Sequence, residues 1–130
     1  REFDHLLAVT HEERSIFPDA VLRRKIEVIP NGVDVEFFKP RASQVGGPPR
    51  LVFTGVMSYW PNIDGVTWFV DEVWPHVRAA YPEAKFDVVG SNPTRAIRAL
   101  SSRPVVHVHG HVADVRQYIE SAHICVAPLR

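Results

Sequence analysis

The sequence predicts an α/β fold, a Rossmann-like parallel sheet with flanking helices, and three observations carry that expectation. Short apolar runs alternate with amphipathic segments along the chain, as they do in successive βα units. Helix-start signals follow several of the runs directly, as at Thr10-His11-Glu12-Glu13 and at Asp114 with Gln117. There a short polar side chain can cap the first turn, with a carboxylate or amide three residues on. The runs themselves end on turn formers, among them Pro30-Asn31-Gly32, Gly55 and Gly90.

Length and charge bound the function. The 130 residues, 45% of them hydrophobic, suffice for one ordinary globular domain with a real core. Fifteen basic residues balance fifteen acidic ones, so no overall field favours a nucleic acid or an anionic membrane surface as partner. The single Cys125 excludes an internal disulfide, and no apolar run approaches the roughly 18 residues of a spanning helix. A soluble, reducing, cytoplasmic setting is the expectation. The chain opens on Arg1-Glu2-Phe3 without an initiator Met and stops just after an apolar run, the pattern expected of a piece of a longer protein.

Element by element, Leu6 to Val9 reads as a strand, and the capping box at Thr10 and Glu13 starts a helix from about His11 to Arg23. Ile26 to Ile29 is a second strand. Pro30 stops it because proline cannot donate to a ladder, and Asn31-Gly32 tolerates positive φ, so a turn is expected there. From Arg41 to Arg50 the sequence RASQVGGPPR is polar, rich in Gly and Pro and without apolar periodicity, which marks a linker.

Beyond the linker Leu51 to Gly55 forms a strand, followed by a loop through Pro61 with Asn62 as cap of the next helix. In that helix Val66, Phe69, Val70, Val73, Val77 and Ala80 recur at three- and four-residue steps, one stripe facing the sheet. Each large member should contribute about 1.5–3 kcal/mol on burial, making this helix a principal part of the core. Phe86 to Gly90 is the next strand, Asn92-Pro93 opens a helix, Val105 to His109 is a third strand, and Asp114 caps a helix to about Ala122. Ile124 to Ala127 is the fourth strand, with Cys125 expected as a buried, inert thiol. The part beyond the linker is therefore βαβαβαβ.

Two stretches carry a family resemblance. Val28-Ile29-Pro30-Asn31-Gly32-Val33-Asp34, followed by Phe38-Lys39-Pro40, resembles the IPNGVD…F.P signature of the group 1 glycosyltransferases, the retaining family 4 enzymes of GT-B fold. The later part agrees in order: Phe53-Thr54-Gly55, Val89-Gly90, His109-Gly110-His111-Val112, Asp114, Tyr118 and Val126-Ala127-Pro128. It resembles most closely the sugar transferases that carry TGVMSYWPNID in the first loop of the second domain.

The resemblance implies a partial GT-B glycosyltransferase. Residues 1–40 would be the tail of the N-terminal acceptor domain, 41–50 a linker, and 51–130 the first half of the C-terminal nucleotide-sugar-binding domain. Asn31, Gly32 and Asp34 would form the interdomain turn. Gly55, Ser58, Asn62, Gly90, His111 and Val112 would bind the donor nucleotide, His111 and Val112 beside the base. Ligands of open α/β sheets sit at the carboxyl ends of the strands, where helix N-termini point amides at anions. The reading of turn chemistry alone leaves Gly55 and Asn62 as a turn and a cap.

The family's Glu-x7-Glu pair is absent from the chain, and the first loop, Gly55 to Pro61, carries neither the Arg nor the Lys of many members. No residue of the chain is therefore assigned to catalysis, and the chain alone is expected to be inactive. The parent is expected to transfer a glycosyl unit from a nucleotide diphosphate sugar with retention. It needs no cofactor, and its acceptor, whether polysaccharide, lipid carrier or small molecule, is not identified by the sequence. A cytoplasmic enzyme, peripheral at the inner face of the membrane, fits such a parent. A half domain with uncovered apolar faces is expected to self-associate.

His107, His109 and His111 alternate along one stretch. Imidazoles at that spacing suit a metal, but the motif holds no Asp, Glu or Cys, so no metal site is assigned. Packing or hydrogen bonding of His107 and His109, and a backbone role for His111-Val112, stand beside it. Trp68 and Trp74 read as packing residues, whereas Tyr59 and Trp60 in the first loop stay open. A dinucleotide-binding oxidoreductase would need G-x-G-x-x-G after its first strand, which Gly55-Val56-Met57 breaks. The competing reading is a non-enzymatic α/β nucleotide-binding or interaction module.

Overall fold

The computed structural model describes residues 3–39 and 46–129. Two compact units divide the chain, residues 1–39 and 40–130.

In the first unit, β1 (Leu6–Ala8) and β2 (Ile26–Val28) pair in parallel, Leu6 opposite Ile26. The single helix expected between them is two, α1 (His11–Ile16) and α2 (Ala20–Arg24). Pro18 causes the break: it disfavours helical backbone at Phe17, whose ψ is 117°. Thr10 Oγ1 caps α1 by accepting the Glu13 N–H at 3.0 Å, and Asp19 caps α2 by accepting the Val21 N–H at 2.7 Å. No positive φ occurs at Asn31 or Gly32, and no turn forms there. The chain turns over residues 35–38 instead. Asp34 organises that turn, its Oδ1 accepting the N–H groups of Glu36 and Phe37 at 3.0 and 2.9 Å.

Of the expected linker, residues 41–45 lie outside the described residues, and Arg50 already belongs to a strand. The second unit runs β3 (Arg50–Thr54), α3 (Trp60–Trp68), a π-helical turn over Phe69–Val73, α4 (Trp74–Ala80), β4 (Lys85–Val89), α5 (Arg95–Ala99), a 3-10 turn over Leu100–Ser102, β5 (Val106–Gly110), α6 (Arg116–Ser121) and β6 (Ile124–Cys125). Its strands form one four-stranded sheet in the order β5-β4-β3-β6, every pair parallel.

Alternation along the strands gives the sheet two different faces. One face carries Leu51, Phe53, Phe86, Val88 and Val106, packed under Val66, Phe69, Val70, Trp74, Ile97 and Leu100. The expected helical stripe is thus correct as far as Val70 and then shifts. Trp74 takes the next core position, against Phe86 at 5.7 Å, while Val73 and Val77 are only partly buried. The π turn produces the shift. Pro75 lacks an N–H for the Asp71 carbonyl, and its ring crowds that carbonyl. The turn widens, and the Trp74 N–H bonds the Phe69 carbonyl five residues back. The other face carries Arg50, Asp87 and His109, with Tyr118 of α6 above them.

Candidate functional site

The carboxyl ends of the four strands carry the candidate site, and backbone contacts draw them together. The Gly55 N–H donates to the Val89 carbonyl at 3.1 Å, the Met57 N–H to the Ser91 carbonyl at 2.8 Å, and the Gly90 N–H to the Gly110 carbonyl at 2.9 Å. Glycine is required at Gly90 because a Cβ there would overlap the Gly55 carbonyl oxygen and stand 2.8 Å from its carbon. The Met57 side chain is fully buried beneath the loop and anchors it to the core.

Against this frame the expected site residues fall as follows. Gly55 lies at the end of β3, Gly90 at the end of β4, and His111 and Val112 directly after β5, so these four share one edge. Ser58 is exposed in the turn of the first loop. Asn62 does not cap a helix. The N-cap of α3 is Tyr59, Pro61 sits in the first turn, and the Asn62 side chain turns back to donate to the Val56 carbonyl at 3.0 Å. Proline at the start of a helix moves the boundary upstream of Asn62, because its fixed φ suits that position. Its neighbours Tyr59 and Trp60 stand out into solvent, Trp60 at 70% exposure. Asn31, Gly32 and Asp34 belong to the first unit, where all three are exposed.

Two other caps differ from expectation. Asn92 adopts a left-handed φ of 53°, and Thr94 caps α5 instead, its hydroxyl accepting the Ile97 N–H at 3.4 Å. Val115, not Asp114, is the N-cap of α6. Asp114 is held by Arg116, which donates from its backbone at 3.0 Å and from its guanidinium at 2.7–3.2 Å. Those side-chain bonds raise the Arg116 pKa above its ordinary value, against an opposing effect of desolvation, and the charges of Asp114 and Glu120 add to the rise. Arg116 is therefore a cation already matched by its own neighbours.

The histidines separate. His109 bonds Asp87 and packs on Tyr118, His107 is exposed with its ring centroid 6.3 Å from that of His109, and His111 is exposed beyond the strand. Among the described residues no group of three or more His, Cys, Asp or Glu is placed to hold a metal ion. Cys125 is exposed rather than buried, because β6 is the edge strand with β3 on one side only. Sequence reasoning missed Met57, Ser91 and the Arg50–Asp87–His109 group. The signal available for the last was a lone acid inside the apolar run Phe86-Asp87-Val88-Val89. A cavity of about 640 Å³ lies away from this edge, beside the start of β5, and is lined by Trp74, Arg78, Arg103 and Pro104 among others.

An all-parallel sheet flanked by helices, with glycine backbone meeting at the strand ends, defines a Rossmann-like α/β domain. The chain belongs to the glycosyl transferases group 1 family, whose model matches residues 48–130. Solved structures agree in fold. A glycosyltransferase from Rickettsia africae superposes with a TM-score of 0.73 at 15% identity, over 97% of this chain and 38% of that one. HepE from Anabaena, solved in complex with UDP and glucose, superposes with a TM-score of 0.64 at 16% identity, over 94% of this chain and 37% of that one. The chain thus spans under two-fifths of either relative. No curated protein matches it in sequence. Among the described residues no helix is long and apolar enough to cross a membrane.

Proposed function

We propose that this chain is the junction of a GT-B glycosyltransferase, with residues 1–40 the tail of its acceptor domain, 41–50 its linker and 51–130 the first half of its donor domain. The parent transfers a sugar from a nucleotide diphosphate sugar to an acceptor, with retention at the anomeric carbon. The observation that carries the reading is the carboxyl edge. Gly55, Gly90, His111 and Val112 end three neighbouring parallel strands at one edge, beside the start of α3, and an anionic ligand of such a sheet sits at that edge. The UDP and glucose held by HepE support a nucleotide sugar as the class of donor.

In the parent, the diphosphate lies along the first loop between Gly55 and Ser58, and the chain at His111 and Val112 borders the base. Stabilising charge on the departing diphosphate is the main electrostatic task of the reaction. The first loop supplies no cation, and Arg116 is occupied by Asp114. Backbone dipoles and groups from the rest of the parent carry that task. The acceptor is a polysaccharide, a lipid carrier or a small molecule, and the parent works in the cytoplasm, at the inner face of the membrane where the acceptor is a lipid. The isolated chain self-associates through apolar side chains such as Leu7, Ile16 and Val21, all exposed in the first unit.

An amide NMR titration of the chain with UDP, GDP and ADP tests the donor site. Saturable shifts at Gly55, Ser58, His111 and Val112 with one nucleotide are the expected result and identify the base. A folded chain with no shifts at those amides for any of the three would refute a self-sufficient donor half-site, and the glycosyltransferase reading would be retested with the rest of the donor domain restored, against the alternative of a non-enzymatic interaction module.

A further inference from the structure

Asp87 is a carboxylate in the middle of an apolar strand, only 5% exposed. A buried carboxylate needs partners to offset its lost hydration. It has two: Arg50 Nη2 at 3.4 Å from Oδ2, and His109 Nε2 at 2.6 Å from Oδ1. The second partner sits at an irregularity. Val88 pairs with Val108 and Val89 with Gly110, so His109 is an extra residue in β5, a β-bulge. Gly110 follows with φ 69°, a left-handed conformation that suits glycine.

The bulge determines where the strand ends. It carries the Gly110 carbonyl to the Gly90 N–H at 2.9 Å, and His111 and Val112 leave the sheet from that point. His109 is held on both sides there. Nε2 donates to Asp87, and its ring lies 4.7 Å, centroid to centroid, from that of Tyr118 in α6. With Nε2 donating to the carboxylate, Nδ1 is the atom left to face the Tyr118 hydroxyl, 3.5 Å away. Ring packing carries this second contact more than the long hydrogen bond does.

We infer that His109 is a positioning residue, clamped between Asp87 and Tyr118, that fixes the bulge in β5 and so sets the course of His111 and Val112. The consequence for ligand binding rests on the donor-site reading above; the clamp itself does not. Bulges beside binding sites commonly re-aim the chain in this way. The alternating histidines are then unequal: His109 holds the strand end, and His111 follows the course it sets.

The test uses the full chain and two readouts. In the free protein, amide hydrogen exchange at Gly90 reports the bulge through the Gly110 carbonyl, while exchange at Gly55, bonded to the Val89 carbonyl, serves as the internal reference. His109→Ala should raise the Gly90 rate relative to Gly55 on the order of tenfold, the loss expected for one hydrogen bond to a charged group. The His111 and Val112 amide shifts should move with it. His109→Gln, whose side-chain amide can still donate to Asp87, should restore most of the difference. Tyr118→Leu removes the ring contact from outside the sheet and should shift the same amides less, keeping the test informative if His109→Ala unfolds.

UDP titration is the second readout. His109→Ala should weaken UDP binding on the order of tenfold, chiefly through the shifts at His111 and Val112, with Gly55 and Ser58 still responding. An unchanged Gly90-to-Gly55 exchange ratio in folded His109→Ala and Tyr118→Leu overturns the clamp whatever UDP does. A changed ratio with no UDP binding by the unaltered chain leaves the clamp standing and sinks the donor-site reading.

Discussion

Gly90 and Gly55 meet backbone to backbone, the Gly55 carbonyl oxygen filling the space in which any side chain at position 90 would begin. Both residues stand in the motif that resembles a nucleotide-binding edge. At Gly90 the demand for glycine is already explained by this approach of two strand ends, without reference to a ligand. The obstacle is main chain, which cannot rotate away as the tip of a long side chain can.

Gly90→Ala should therefore destabilise the second unit by about 3 kcal/mol, the upper end for overpacking against an unyielding neighbour. Urea denaturation followed by circular dichroism measures it. A midpoint equal to that of the unaltered chain would mean that β3 and β4 separate at their ends more easily than this packing implies.

Trp74 is 2% exposed, packs at a tilt against Phe86 and donates from Nε1 to the Pro104 carbonyl at 3.2 Å. Trp74→Ala should cost about 3–5 kcal/mol, the range for removing a large buried aromatic side chain. Trp74→Phe keeps most of the packing and loses the hydrogen bond, so its cost should be about 1 kcal/mol. If both variants cost the same in chemical denaturation, the hydrogen bond rather than the packing is what position 74 supplies.

Pro75 opens the π turn, but burial of Trp74 is what the turn achieves. Pro75→Ala should consequently leave Trp74 in the core and change stability by less than about 1 kcal/mol, since a regular helix would rotate the indole out of the sheet interface. Tryptophan fluorescence is the readout. A red shift of the emission in the folded variant would show that proline, not packing, maintains the turn.

Asn62 ties the first loop to α3 through the Val56 carbonyl. Asn62→Ala should cost about 1 kcal/mol and broaden the amide resonances of Val56, Met57 and Ser58, while α3 keeps its start because Asn62 does not cap it. Loss of helical signal from the Trp60 end in the NMR shifts would restore Asn62 to the role of a cap.

Cys125 offers a direct check on the sheet edge. Its exposure predicts that a thiol reagent such as DTNB modifies the native chain without unfolding, at a rate near that of a free cysteine peptide. Protection until denaturant is added would place the thiol under a cover that the described residues do not supply.

Much of this protein was determined by sequence alone. Apolar runs alternating with capped amphipathic segments specify βα units, and the TGVMSYWPNID stretch carries a family likeness that the match over residues 48–130 shares, whereas the IPNGVD stretch lies upstream of that match. These are local signals, expressed within a few residues of where they act. Tertiary structure decided what depends on neighbours distant in the chain. Pro18 and Pro75 are visible in the sequence, yet only packing shows that one splits a helix and the other merely widens a turn, because the long helix has Trp74 buried beneath it and α1 has no buried residue to hold it together. Asp87 and His109 lie 22 residues apart. Their pairing follows from the parallel register of β4 and β5 and from a bulge at one residue, and strand register is set by the packing of whole faces rather than by any spacing along the chain.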